Sequence, residues 1–149
     1  VSLTNGTTGW VKDDYIKITT ESVTDNSQNS NNNSTSYRSA VVNLAYSLLG
    51  KPYAWGGNGP NCFDCSGFTS YLFRQYGISI SRSSSAQAYG GTAVNGLANA
   101  QPGDVICYPG HVGIYIGGGQ MIHAPVPGDS VKVSSVNIGM SITAVRRYW

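Results

Sequence analysis

Charge is scarce in this 149-residue chain: only 11% of its residues are Asp, Glu, Lys or Arg, against roughly 25% in ordinary soluble domains. The net charge is +2 and no Lys/Arg cluster occurs, which is too little to argue for nucleic-acid binding, and none is expected. No apolar run approaches the ~18 residues that a membrane helix requires, and no bilayer span is expected. Cysteine is rare too. Three thiols leave at least one unpaired within the chain, so a disulfide framework does not hold this fold. The opening VSLTNGTTGW lacks both the basic start and the apolar stretch of a leader, and the chain reads as a piece cut from a longer protein. Internal repeats are absent. What is present is a 40% share of hydrophobic residues, enough for the core of one domain without a structural metal. Its polarity comes from Ser, Thr, Asn and 19 Gly, as in a surface solubilised by hydroxyls and amides.

Composition divides the chain. Residues 24–36, TDNSQNSNNNSTS, contain no apolar side chain that could repay the entropy of ordering, and read as a flexible polar linker. Ahead of it, TGWVKDDYIKI alternates as a short strand pair would. After it, Ser36 can cap a helix over residues 37–49, with Val41, Ala45 and Leu48 on one stripe and Val42 and Leu49 beside them. Gly50 and Pro52 stop that helix. A second helix is expected from Asp64 or Cys65 to Gly77, and a helical turn at residues 84–89. Beyond Gly103 the period changes to two. DVICY, HVGIYI, QMIHA, VKVSSV and TAVRRYW read as successive strands, giving helices followed by antiparallel strands, the α+β pattern.

The chain's two histidines lie on one predicted hairpin. Val112, Ile114 and Ile116 share a face of its first strand, which leaves His111 on the other. With residues 117–119 as the turn, Ile116 falls opposite Gln120, Ile122 opposite Ile114 and His123 opposite Gly113. That register completes the apolar face and brings His123 to the same side as His111. A two-residue turn is expected to flip both results at once. Cys65, in NCFDCSGF, is placed at a helix start, where unpaired N–H groups and a neighbouring imidazolium lower a thiol's pKa. A thiol, a base and a group that orients the base form a constellation for nucleophilic catalysis. Zinc is the competing reading, because Cys62-x-x-Cys65 and Cys107-x-x-x-His111 have usable spacings. It leaves His123 unexplained, and no metal is assigned.

Six motifs follow in order: P-Y-x-W-G-G, D-C-S-G-F, R-x-S-x-x-Q, P-G-D, G-H-V-G-I-Y-I-G and I-H-A. Together they resemble the NlpC/P60 family of bacterial cell-wall cysteine peptidases, over about residues 37–149. The resemblance implies a papain-like α+β domain, with N-terminal helices packed on an antiparallel β-sheet. By motif it implies Cys65 as nucleophile, His111 as general base and His123 as the residue orienting that base. Tyr53, Asp64 and Ser66 are implied as substrate-binding residues, Asp64 having a helix cap as its plainer reading. Trp55 is read as packing, Arg82 as structural with Asp104 its suggested partner, and Gly56, Gly57 and Gly67 as backbone sites of close approach or positive φ. Cys62 and Cys107 depart from the family's usual residues and are read as structural thiols, a disulfide between them being the alternative. Residues 1–23 resemble the end of an SH3-like wall-binding module. The implied reaction is hydrolysis of a peptidoglycan stem peptide between the γ-carboxyl of D-glutamate and the following diamino acid. It needs no cofactor, and the domain is expected to act as a monomer, secreted or associated with the wall. A thiol amidase or acyltransferase on the same scaffold, and a non-catalytic wall-binding domain, are the alternatives.

Overall fold

A computed structural model of the chain describes residues 29–149, with side chains from residue 36 onward. The expected wall-binding remnant at 1–23, and the linker up to residue 28, lie outside the described residues. Helix α1 spans Asn29–Ser47 and so begins eight residues before the expected start at Tyr37. Asn and Ser cost only a few tenths of a kcal/mol each in a helix, and extending an existing helix avoids the cost of nucleation. Val41, Ala45 and Leu48 face the core as the stripe requires, whereas Leu49 lies past the helix end and is exposed. Gly50 stops the helix at φ +92°.

Helix α2, Cys65–Arg74, buries Phe68, Leu72 and Phe73 completely, each worth roughly 1.5–3 kcal/mol of transfer free energy. A single turn, α3, follows at Ser84–Gln87. The strands are β1 (Thr92–Val94), β2 (Val105–Tyr108), β3 (His111–Gly117), β4 (Gln120–His123), β5 (Lys132–Ser135) and β6 (Ala144–Arg147). They form one antiparallel sheet in the order β1-β6-β2-β3-β4-β5. The α+β expectation is met; strand β1, three residues long, was not foreseen. Residues 34–149 make one compact unit.

The period of two in β2 and β3 serves both faces of the sheet. Val105, Cys107, Val112, Ile114 and Ile122 join the core shared with α1 and α2. Ile106, Tyr108, Tyr115 and Met121 form a second cluster, with Val136 and Val145. The hairpin corrects one expectation. Ile114 does pair with Ile122, and Tyr115 with Met121, but Gln120 pairs with Gly117 rather than with Ile116. Ile116 is taken up in a bulge, and Gly118 and Gly119, at φ +64° and +76°, make a two-residue turn. One residue fewer in the turn and one more in the bulge cancel, so the side-chain register beyond Tyr115 is unchanged.

Candidate active site

The local sequence explains how Cys65 is held. Asp64, extended at φ −95°, is the N-cap of α2, its Oδ1 accepting from the Gly67 N–H at 2.7 Å. Its Oδ2 accepts from the Gly56 N–H at 3.0 Å and from Arg82 Nη2 at 2.9 Å. Arg82 also donates through Nη1 to Ser66 Oγ at 2.7 Å and through Nε to Asn58 Oδ1. Burial alone would raise the Asp64 carboxyl, but the Arg82 guanidinium and the Gly67 and Gly56 amides hold it below the usual carboxylate range. The plainer reading of Asp64 as a cap is therefore met. The suggested Arg82–Asp104 pair is not: Asp104 accepts from both Nε and Nη2 of Arg147 at 2.8 Å. Asp104 leads into β2, which pairs with β6, while Arg82 lies over the start of α2.

Close packing fixes the same corner. A Cβ on Gly67 would stand 1.9 Å from the Gly57 carbonyl oxygen, and one on Gly57 would stand 2.8 Å from the Phe63 backbone. Gly56 has φ +75°. All three glycines are thus required for the reasons expected. Trp55 corrects the expectation of packing. Gly56 turns the loop, Tyr53 meets the Trp55 ring edge-on at 5.7 Å, and Trp55 remains 80% exposed at the cleft rim.

Cys65 and His111 line one cleft of about 380 Å³, together with Tyr53, Trp55, Asp64, Ser66 and Arg82. The cysteine is the first residue of α2, and the backbone amides of Val112, Ser66 and Cys65 itself act to lower its thiol. Burial nevertheless raises the Cys65 thiol, and the Asp64 charge adds to this, so the lowering expected from the helix start does not win. Burial also raises the Tyr53 hydroxyl, ahead of the neighbouring Cys65 and Asp64.

Both histidines are buried. His111 Nε2 lies 2.8 Å from His123 Nδ1, with the rings nearly perpendicular at 75°. Continuing the hairpin register puts His123 against Gly113, where a Cβ would stand 3.2 Å from the His123 Cβ. Burial lowers the pKa of His111. Burial, then the charges of His111 and Lys132, push His123 down to about 4. The far nitrogen of His123 meets Ser134 Oγ on β5 at 2.8 Å, a partner the sequence reading missed. An eight-residue connection separates β4 from β5, and only their pairing, His123 with Lys132 and Met121 with Ser134, reveals it.

Cys62, Cys65 and Cys107 are all free thiols, and burial pushes Cys107 up to about 12. Among the described residues no three His, Cys, Asp or Glu side chains converge on a metal position. No described helix is long and apolar enough to cross a membrane.

Residues 50–149 match the model of the NlpC/P60 family, and the chain belongs to that family. A Mycobacterium tuberculosis protein named "Probable endopeptidase Rv2190c" is 45% identical over 114 residues, 74% of this chain and 29% of the relative. The Listeria grayi protein named "Probable endopeptidase p60" is 47% identical over 112 residues, 69% of this chain and 22% of the relative. The chain therefore spans less than a third of these curated relatives. Among solved structures, the NlpC/p60 domain of the peptidoglycan hydrolase SagA is 42% identical with a TM-score of 0.66, over 73% of this chain and 97% of that one. The peptidoglycan hydrolase RipB of M. tuberculosis gives a TM-score of 0.70 at 36% identity, over 78% of this chain and 67% of that one.

Proposed function

We propose that this chain carries the catalytic domain of a peptidoglycan endopeptidase, which cuts the stem peptide between the γ-carboxyl of D-glutamate and the following diamino acid. The observation that carries the reading is the shared cleft: Cys65 at the head of α2, and His111 with its Nε2 tied to His123. The names of the relatives support the same class.

Because burial raises the thiol and lowers the imidazole, both start neutral. Deprotonation therefore accompanies attack. The Cys65 Sγ–H proton passes to His111 Nδ1 as sulfur bonds to the scissile carbonyl carbon. The amide oxygen becomes an oxyanion held by N–H at the helix start, with the Tyr53 hydroxyl beside it. Collapse breaks the C–N bond, and His111 gives its proton to the leaving amine. Water then attacks the thioester, its proton going to His111, and the thiol is restored. His123 holds the His111 ring throughout. The Asp64–Arg82–Ser66 cluster forms the wall that grips the amino-terminal side of the substrate. No cofactor enters. The domain works as a monomer outside the cell or on the wall, with residues 1–23 as the end of a wall-binding module and 24–36, whose last eight residues open α1, as its linker.

Incubation with purified muropeptides, followed by mass spectrometry, tests the proposal. The expected products are a fragment ending in D-glutamate and one beginning with a free α-amine on the diamino acid. Release of an intact stem peptide from the sugar would instead identify an amidase, transfer to an added amine an acyltransferase, and retention without products a binding domain.

A further inference from the structure

We infer that Ser134 is a positioning residue: its Oγ accepts from His123 Nε2–H and so sets the proton arrangement that frees His111 Nδ1 to act. The inference rests on the catalytic reading just given. Its basis is a chain of two contacts, His111 Nε2 to His123 Nδ1 at 2.8 Å and His123 Nε2 to Ser134 Oγ at 2.8 Å.

Each of the two 2.8 Å contacts, ring to ring and ring to hydroxyl, can hold one proton, not two. Two arrangements are possible while both imidazoles are neutral. In the first, His111 carries its proton on Nε2 and donates to His123, which donates onward to Ser134. In the second, every proton is reversed: Ser134 donates to His123 Nε2, His123 Nδ1–H donates to His111 Nε2, and the remaining His111 proton occupies Nδ1. The second arrangement cannot accept the Cys65 proton. Once His111 is an imidazolium, both its nitrogens are donors, and only the first avoids opposing two N–H groups.

That state requires an acceptor for His123 Nε2–H. Ser134 Oγ is the only side-chain partner of this nitrogen among the described residues. The charged groups near His123, Lys132 and Asp129, are engaged with each other at 2.8 Å. Ser134 is half-buried and lines a second cleft, shared with His111 and His123, so its own O–H can turn to solvent while a lone pair accepts. A hydroxyl suits this place because it accepts without adding the fixed charge that a carboxylate would bring.

The test combines tautomer and rate. Nitrogen-15 NMR of the histidine side chains in the resting protein should show His123 protonated at Nε2 in the wild type. Ser134→Ala should move it toward the Nδ1–H form, and Ser134→Thr, which keeps the hydroxyl, should restore the wild-type spectrum. On muropeptides, Ser134→Ala should lower kcat about 10-fold, as removal of an orienting partner does, with KM little changed and Thr rescuing the loss. Wild-type kcat in Ser134→Ala together with an unshifted His123 spectrum would overturn the inference. Cys65→Ser separates the two readings: full activity there sinks the catalytic assignment, while a dead Cys65→Ser beside a fully active Ser134→Ala sinks only the role of Ser134.

Discussion

Gly67→Ala separates helix propensity from packing, because the two predict opposite signs. Gly67 is the third residue of α2. In an exposed helix, Gly to Ala stabilises by up to about 1 kcal/mol. Here the new methyl would stand 1.9 Å from the Gly57 carbonyl oxygen, a backbone atom that cannot swing aside. Ordinary carbon–oxygen contact begins near 3.3 Å, so helix and loop would have to separate by about 1.4 Å. The separation also strains the Asp64 N–H bond to that same oxygen, now 3.1 Å, and the cap that precedes Cys65. Overpacking of this kind costs roughly 2–4 kcal/mol, and a nucleophile displaced by about 1 Å loses on the order of 10²-fold in rate. Urea denaturation and kcat/KM on muropeptides read both effects. As a control, Gly77→Ala, at φ +78° with open space around its Cβ position, should cost only about 1 kcal/mol and leave activity intact. A Gly67→Ala protein as stable as wild type would refute the packing argument.

Cys65→Ser should abolish hydrolysis with the fold intact by circular dichroism, while Cys62→Ser and Cys107→Ser keep substantial activity; an inactive Cys62 variant would contradict the nucleophile assignment. His123→Ala should lower kcat/KM by about 10–10³-fold, and His123→Asn, whose carbonyl can still accept from His111 Nε2–H, should keep more; equal losses would remove the orienting role. Acid should destabilise the protein as pH drops from about 6.5 to about 4. The folded state holds His111 and His123 neutral where the unfolded chain would bind protons, so their contribution is full above the unfolded value and is lost as pH falls through the folded ones. Melting temperatures over that range should fall less steeply in His123→Asn, and an unchanged slope would count against a buried neutral His123.

Local chemistry was the legible part of this chain. The Asp64 cap, the glycine stops and the two-residue period were all readable, because each depends on neighbours within a few positions. The histidine pairing was readable through burial: one face had to hold Ile114 and Ile122, and that decided the register although the turn was assigned one residue too long. Distant partners were not readable. Arg82 and Arg147 each face a choice between Asp64 and Asp104, and only strand order and the placement of the 82 loop resolve it. Ser134 was hidden by the β4–β5 connection, whose length does not set a register. Trp55 misled because a large aromatic beside a core motif usually packs; here the backbone turn at Gly56 leaves it at the rim. The start of α1 is not legible because a polar run reads as irregular chain, though a helix once formed extends at little cost.

The helix cap and the proposed nucleophile are adjacent residues, and the corner that holds them is densely bonded. Asp64 caps α2 through Oδ1, and its charge raises the Cys65 thiol beside it and so opposes the thiolate. Removing the carboxylate would free the Gly56 and Gly67 amides and loosen the peptide that positions the sulfur. Arg82 binds the far oxygen at 2.9 Å and places a positive charge in the same cleft. It then ties Ser66, the next residue of the helix, at 2.7 Å. The guanidinium has five donors in a fixed fork, so it can reach Asp64 Oδ2, Ser66 Oγ and Asn58 Oδ1 together. A lysine would supply the charge without the second and third contacts. The cap thereby keeps its geometry, and burial remains the larger of the two effects that raise the Cys65 thiol, ahead of the Asp64 charge.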